Sequence, residues 1–112
     1  MTLKSIEEIR NHLNEGDFLL TIHATTRIVE RNISSKEITE AGSNAEIIEN
    51  YPDDKYEPSC LLLGLTKQNR PLHIQVSRGG GKKMKIITIY QPDLKKWKSN
   101  FKERTIHGNK YL

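Results

Sequence analysis

The sequence predicts an α+β domain in which N-terminal helices, ending near residue 42, precede a four-stranded antiparallel sheet and a C-terminal helix. Three observations carry this. Ser5 with Glu8 and Ser34 with Glu37 form capping-box patterns, each followed by apolar residues at helical spacing. After Ala45 the period shifts toward strands, in short runs rich in β-branched residues. Leu94, Trp97 and Phe101 then return to helical spacing.

Taken in order, Ile6, Ile9 and Leu13 define a first helix over residues 6–14, stopped by Gly16. An extended piece at 18–22 leads to a second helix with Ala24 and Ile28 as its narrow apolar stripe, and Ile38 and Ala41 mark a third that Gly42 closes. Strands are expected at 46–51, 59–66, 71–78 and 83–91, the last two joined as a hairpin by Gly79, Gly80 and Gly81. A type II′ turn at Gly81 and Lys82 would set His73 opposite Tyr90. The expected core is Ile28, Leu63, Leu72, Ile74, Val76, Ile87, Ile89 and Trp97, with a last helix over 93–103 and a frayed end at 105–112.

One domain is what 112 residues allow. The longest apolar run, Cys60 to Leu63, is far short of a membrane span, and the first residues lack a secretory pattern, so a cytoplasmic protein is expected. A lone cysteine in an apolar strand suits a reducing compartment and makes a poor nucleophile. The net charge of +4 conceals a division, because residues 1–56 carry −5 and residues 57–112 carry +9. A basic half of this kind steers polyanions or an acidic partner toward it. Arg78, Lys82, Lys83 and Lys85 around the glycines, with Thr88, are the candidate RNA-contacting residues.

His23, Arg27 and Arg31 recur every four residues and so line one face of the second helix. There the helix dipole and both arginines disfavour the imidazolium of His23, and a neutral imidazole beside two guanidinium forks suits a phosphodiester. The bland alternative is a solvated face whose arginines pair with acids such as Glu30. His73 points away from the apolar side of its strand and would meet Tyr90 and Thr88 across the hairpin; a half-buried, hydrogen-bonded histidine is the bland alternative there. Histidines at 12, 23, 73 and 107 make no metal-binding spacing, and the glycine run lacks the Gly-Lys-Ser/Thr ending of a phosphate loop. Neither a metal nor a cofactor is expected.

Several blocks in order, Thr21 to Ser34, Ile48 to Asp54, Leu63-Gly64, Pro71 to Val76, and Ile87 to Asp93 with Trp97, resemble the domain of unknown function 4258 family over residues 21–97. That family is similar to the RelE-like and barnase-like ribonuclease and toxin domains. The resemblance implies helices followed by a four-stranded antiparallel sheet, and places His23, Arg27, Arg31, His73, Thr88 and Tyr90 at polar motif positions. The leading expectation is a metal-independent, toxin-like endoribonuclease that forms a 2′,3′-cyclic phosphate. His23 would be the base, His73 or Tyr90 the acid, and Arg27 and Arg31 the charge stabilisers, with RNA as substrate and an antitoxin or inhibitor as a further partner. The alternative is a non-catalytic RNA- or protein-binding module using the basic half. A third reading is an immunity or antitoxin-like partner, for which an acidic surface on residues 1–56 would be the telling feature.

Overall fold

The computed structural model describes residues 2–105; the frayed end expected at 105–112, apart from Thr105, lies outside the described residues, His107 included. Both capping boxes form. Ser5 and Ser34 each accept from the backbone N–H three residues on, and Glu8 and Glu37 each accept from the cap's own N–H. The helices they start are α1 (Ile6–Glu15), ended by Gly16 at φ 71°, and α3 (Ser35–Ser43). Gly42 is not the stop expected of it. It lies inside α3, where a Cβ would sit 2.5 Å from Leu13 Cβ, so its bare backbone lets α1 pack against α3.

Between them α2 (Ile22–Glu30) is capped by Thr21. Five strands follow the order β1 (Leu19–Leu20), β5 (Lys85–Tyr90), β4 (Pro71–Ser77), β3 (Ser59–Leu65) and β2 (Glu46–Tyr51) across one sheet. This corrects the expected four-stranded antiparallel sheet. The extended piece before α2 adds a parallel edge, with Leu19 and Leu20 beside Lys85 and Ile86, and the sheet is mixed. Two residues are too few to show a strand period.

Pairing of β4 with β5 sets His73 opposite Tyr90 as expected, but not through the expected turn. The chain reverses around Gly80 and Gly81, where the Lys82 N–H reaches Gly79 O and Gly81 takes φ 77°. A bulge at Ile87 absorbs the change in register. It turns Ile86 fully inward and leaves Ile87 half-buried, which overturns the expected place of Ile87 in the core. Ile28 is likewise only half-buried, at the core's rim. Leu63, Leu72, Ile74, Val76, Ile89 and Trp97 are buried as expected.

No helix follows the strands among the described residues, so the expected C-terminal helix is also corrected. After one turn, in which the Lys96 and Trp97 N–H groups reach Asp93 O, the chain reverses through Phe101 at φ 59°. Trp97 then bridges to Arg104 and the Thr105 N–H donates to Lys96 O. A helix would have stacked Lys95, Lys98 and Lys102 at repelling spacing, whereas Asn100 caps a turn by accepting from the Lys102 N–H. Leu94, 62% exposed, never joins the apolar stripe.

Cys60, Leu62, Leu72, Ile74 and Val76 meet the helices in the main core. Leu61, Leu63, His73 and Gln75 alternate onto the other face, over which Trp97 and its strap lie. At Gly64 the backbone of α3 lies directly against the sheet, since a Cβ there would stand 2.1 Å from Ala41 O. Because a backbone carbonyl cannot swing aside, Gly64→Ala is expected to cost about 1 to 3 kcal/mol or more. An unchanged denaturant midpoint would show that α3 is not seated there.

Candidate functional site

The Thr21 side chain ties α2 to the edge of β5. Its hydroxyl accepts from the Ala24 N–H and donates to Ile87 O at the bulge, and its backbone N–H reaches Ile86 O. His23 therefore begins its helix beside the strand that carries Thr88 and Tyr90. At the other end of α2, Asn32 at φ 53° lets the Ile33 N–H close back on Ile28 O. Arg70 clamps that end: it donates to the Arg31 and Asn32 carbonyls, to both Glu37 oxygens and to Gln91 Oε1. Glu37 is held below its usual carboxylate range by the Ser34 N–H, with Arg70 adding to the effect.

A cleft of about 380 Å³ lies along this helix and strand. His23, Arg27, Arg31, Thr88 and Tyr90 line it together, so the structure gathers five residues that the sequence singled out. It adds Gln91, Asp93, Lys96, Trp97 and Arg104. Arg27 is loosely paired with Glu30 at 3.3 Å.

His73 does not open onto the cleft. It is completely buried behind it, packed edge-on against Trp97 with ring centroids 4.4 Å apart. Its Nε2 lies 2.7 Å from Phe101 O, and a carbonyl can only accept, so Nε2 carries the proton. Nδ1 is then an acceptor, and Tyr90 donates its hydroxyl to it at 3.2 Å. Burial holds the His73 pKa below its usual 6.5, against the opposing pull of the Phe101 carbonyl and Glu49. Burial also raises the Tyr90 phenol. The two form a neutral dyad whose phenol oxygen keeps its lone pairs for the cleft.

The back wall holds a second network. Arg104 grips Glu49 with two hydrogen bonds of 3.0 and 3.1 Å, lies 4.6 Å from the centre of the Trp97 ring, and shares Glu49 with the Tyr51 hydroxyl. Burial acts to raise Glu49, but these donors win and hold it below the usual range. Nothing local in the sequence announces a pair so far apart, and the helix expected at 93–103, with Arg104 just past its end, gave no sign that Lys96 and Arg104 line the site.

The residues around the glycines do not join this cleft. Arg78 is spent on structure, donating to Lys4 O and Asn50 Oδ1. Lys83 pairs with Asp17, Lys85 pairs with Glu57 at 3.2 Å, and the Lys82 carbonyl accepts from the buried Lys4 ammonium. Cys60 is fully buried, and burial pushes its thiol up to about 11. Among the described residues no cluster of three or more metal-ligating side chains occurs, and no helix is long and apolar enough to cross a membrane.

No curated protein and no solved structure matches the chain significantly. The family model described as a domain of unknown function (DUF4258) matches residues 20–91, which run from β1 through β5 and contain His23, Arg27, Arg31, Thr88, Tyr90 and Gln91 of the cleft, and the chain belongs to that family.

Proposed function

We propose that the cleft takes an RNA phosphodiester and that the protein cleaves it without a metal, leaving a 2′,3′-cyclic phosphate. The observation that carries this reading is the meeting of His23, Arg27 and Arg31 with Tyr90 in one cleft. Arginine forks and Lys96 offset the charge of the pentacovalent phosphorane. The direction of the Tyr90 hydrogen bond favours the reverse of the roles expected from sequence. The 2′-hydroxyl proton passes to the Tyr90 oxygen as the Tyr90 proton moves to His73 Nδ1, where the Glu49 charge offsets the imidazolium formed; His23, on the open side, gives a proton to the leaving 5′-oxygen from its protonated form, which the charge of a bound phosphate favours against the helix dipole and the arginines. His73 is thus a positioning residue.

The toxin-like character suggested by the RelE- and barnase-like resemblance, with a cytoplasmic setting and an inhibitor protein as partner, belongs to the same proposal. Burial of His73 away from the cleft favours a second reading, a module that binds RNA without cutting it.

Incubation of the purified protein with mixed RNA in EDTA separates the two. Fragments ending in 2′,3′-cyclic phosphate support the enzyme; RNA bound and left intact leaves only the binder. In either case Arg27, Arg31 and Lys96 release counterions. Log affinity is therefore expected to fall with log salt at a slope of about −2 for single-stranded RNA. Affinity that is flat with salt would remove polyanion binding altogether.

A further inference from the structure

A second cleft of about 450 Å³ adjoins the first, and His23 lines both. Its other walls include Asp54, Tyr56, Glu57, Gln75, Lys85 and Ile87. Tyr56 is 83% exposed, an aromatic face offered to solvent, with the Lys55 ammonium 5.2 Å from its ring centre. The polar atoms are unevenly used. Gln75 turns its amide nitrogen into the protein, donating to Ser59 Oγ at 3.1 Å and toward Asp54 Oδ2, while its carbonyl oxygen receives no hydrogen bond from the described residues. Asp54 accepts from Ser59 and from the Lys55 N–H and retains further lone pairs. Glu57 gives one oxygen to Lys85, and its other oxygen, the one buried side-chain polar atom without a partner among the described residues, lies against Gly79 and is closed to the cleft. The exposed lining is thus mostly apolar, with the Gln75 carbonyl oxygen and Asp54 as its unused acceptors and two ammoniums, Lys55 and Lys85, beside them.

We propose that this cleft binds the guanine base of a nucleotide adjoining the phosphate in the main cleft; the inference rests on the RNA reading above and gives that reading a base preference. Guanine is the base whose pairing edge carries two adjacent donor groups, N1–H and N2–H₂, beside an acceptor, O6. Asp54 and Gln75 meet the donors, Lys85 meets O6, and the ring stacks on Tyr56. Adenine and cytosine bring one amine each, uracil a single N–H between two carbonyls. A guanidinium from a partner protein would also suit the carboxylates, but Lys55 and Lys85 at the same mouth repel a second cation.

The test measures binding of labelled oligoadenylates carrying one central G, A, C or U to wild type, Asp54→Asn and the exposed-site variant Tyr56→Ala, with free GMP and AMP and an arginine-rich peptide as separate arms. The G oligomer is expected to bind wild type about 10- to 100-fold more tightly than the others. Asp54→Asn should erase that preference while keeping the affinity for plain oligoadenylate, and Tyr56→Ala should weaken the G oligomer most. GMP preferred over AMP with no difference among oligomers would assign the cleft to a free guanine nucleotide and overturn the RNA base assignment. Equal, salt-sensitive binding of all oligomers with no GMP preference overturns the guanine inference and leaves the RNA reading standing. Failure of every oligomer to bind overturns the RNA reading, and with it the base assignment, whatever the GMP arm shows. Binding of the peptide alone would give the cleft to a protein partner and overturn both.

Discussion

Replacing Trp97 with alanine is expected to destabilise the protein by about 3 to 5 kcal/mol. The residue is 3% exposed although no helix carries it; it is the lid of the outer sheet face. Beneath it lies the His73 ring and above it the Arg104 guanidinium, so removal costs apolar burial, an edge-on ring contact and a cation–π contact together. It also uncovers His73. Burial keeps that imidazole less basic in the folded protein than in the unfolded chain, whose ordinary value is 6.5. Unfolded protein therefore takes up the proton first, and native stability, full above that value, is lost as pH falls through it toward the lower native pKa. In Trp97→Ala the His73 pKa should move back toward its ordinary value and this dependence should shrink. Denaturant titrations at two pH values, with a proton NMR titration of His73, measure both. A loss below about 0.5 kcal/mol would show that the strap does not anchor the sheet.

The second large effect concerns catalysis. His23→Ala and Tyr90→Phe are each expected to lower RNA cleavage by about 10² to 10⁴ while leaving RNA affinity within a few-fold, because each removes a proton path used in the transition state rather than a ground-state contact. Tyr90→Phe is the cleaner of the two, since it removes one oxygen and keeps the ring against His73. His73→Ala would confound the question, as it empties a fully buried site under Trp97. Arg27→Ala should weaken affinity and turnover together, since its guanidinium would meet the phosphate in both states. Initial rates and equilibrium binding on one oligoribonucleotide separate these outcomes. A Tyr90→Phe enzyme as fast as wild type would sink the dyad mechanism, and cleavage unaffected by either change would place the activity elsewhere.

How far these residues were legible in advance varied with the range of the forces that place them. Both capping boxes, the Gly16 stop and the spacing of His23, Arg27 and Arg31 are governed by neighbours within four residues, and the structure keeps them. The pairing of His73 with Tyr90 was legible too, although the expected turn was misplaced and the Ile87 bulge compensated for it. Gly42 was misread because a stop signal and a close helix contact ask for the same missing Cβ.

By itself, then, the sequence determined the helices, the four longer strands and the cationic face of α2, all products of local caps and periodicity. Only the tertiary structure decided that Leu19 and Leu20 extend the sheet in parallel, that residues 93–103 form a strap rather than a helix, and that His73 lies buried behind Tyr90 instead of beside His23. The reason is the same in each case. A two-residue edge strand, a lysine-rich segment whose spacing suits a helix and the burial of an imidazole are all settled by long-range partners, the β5 backbone, the His73 ring and the Phe101 carbonyl, whose contact with each segment no local pattern encodes.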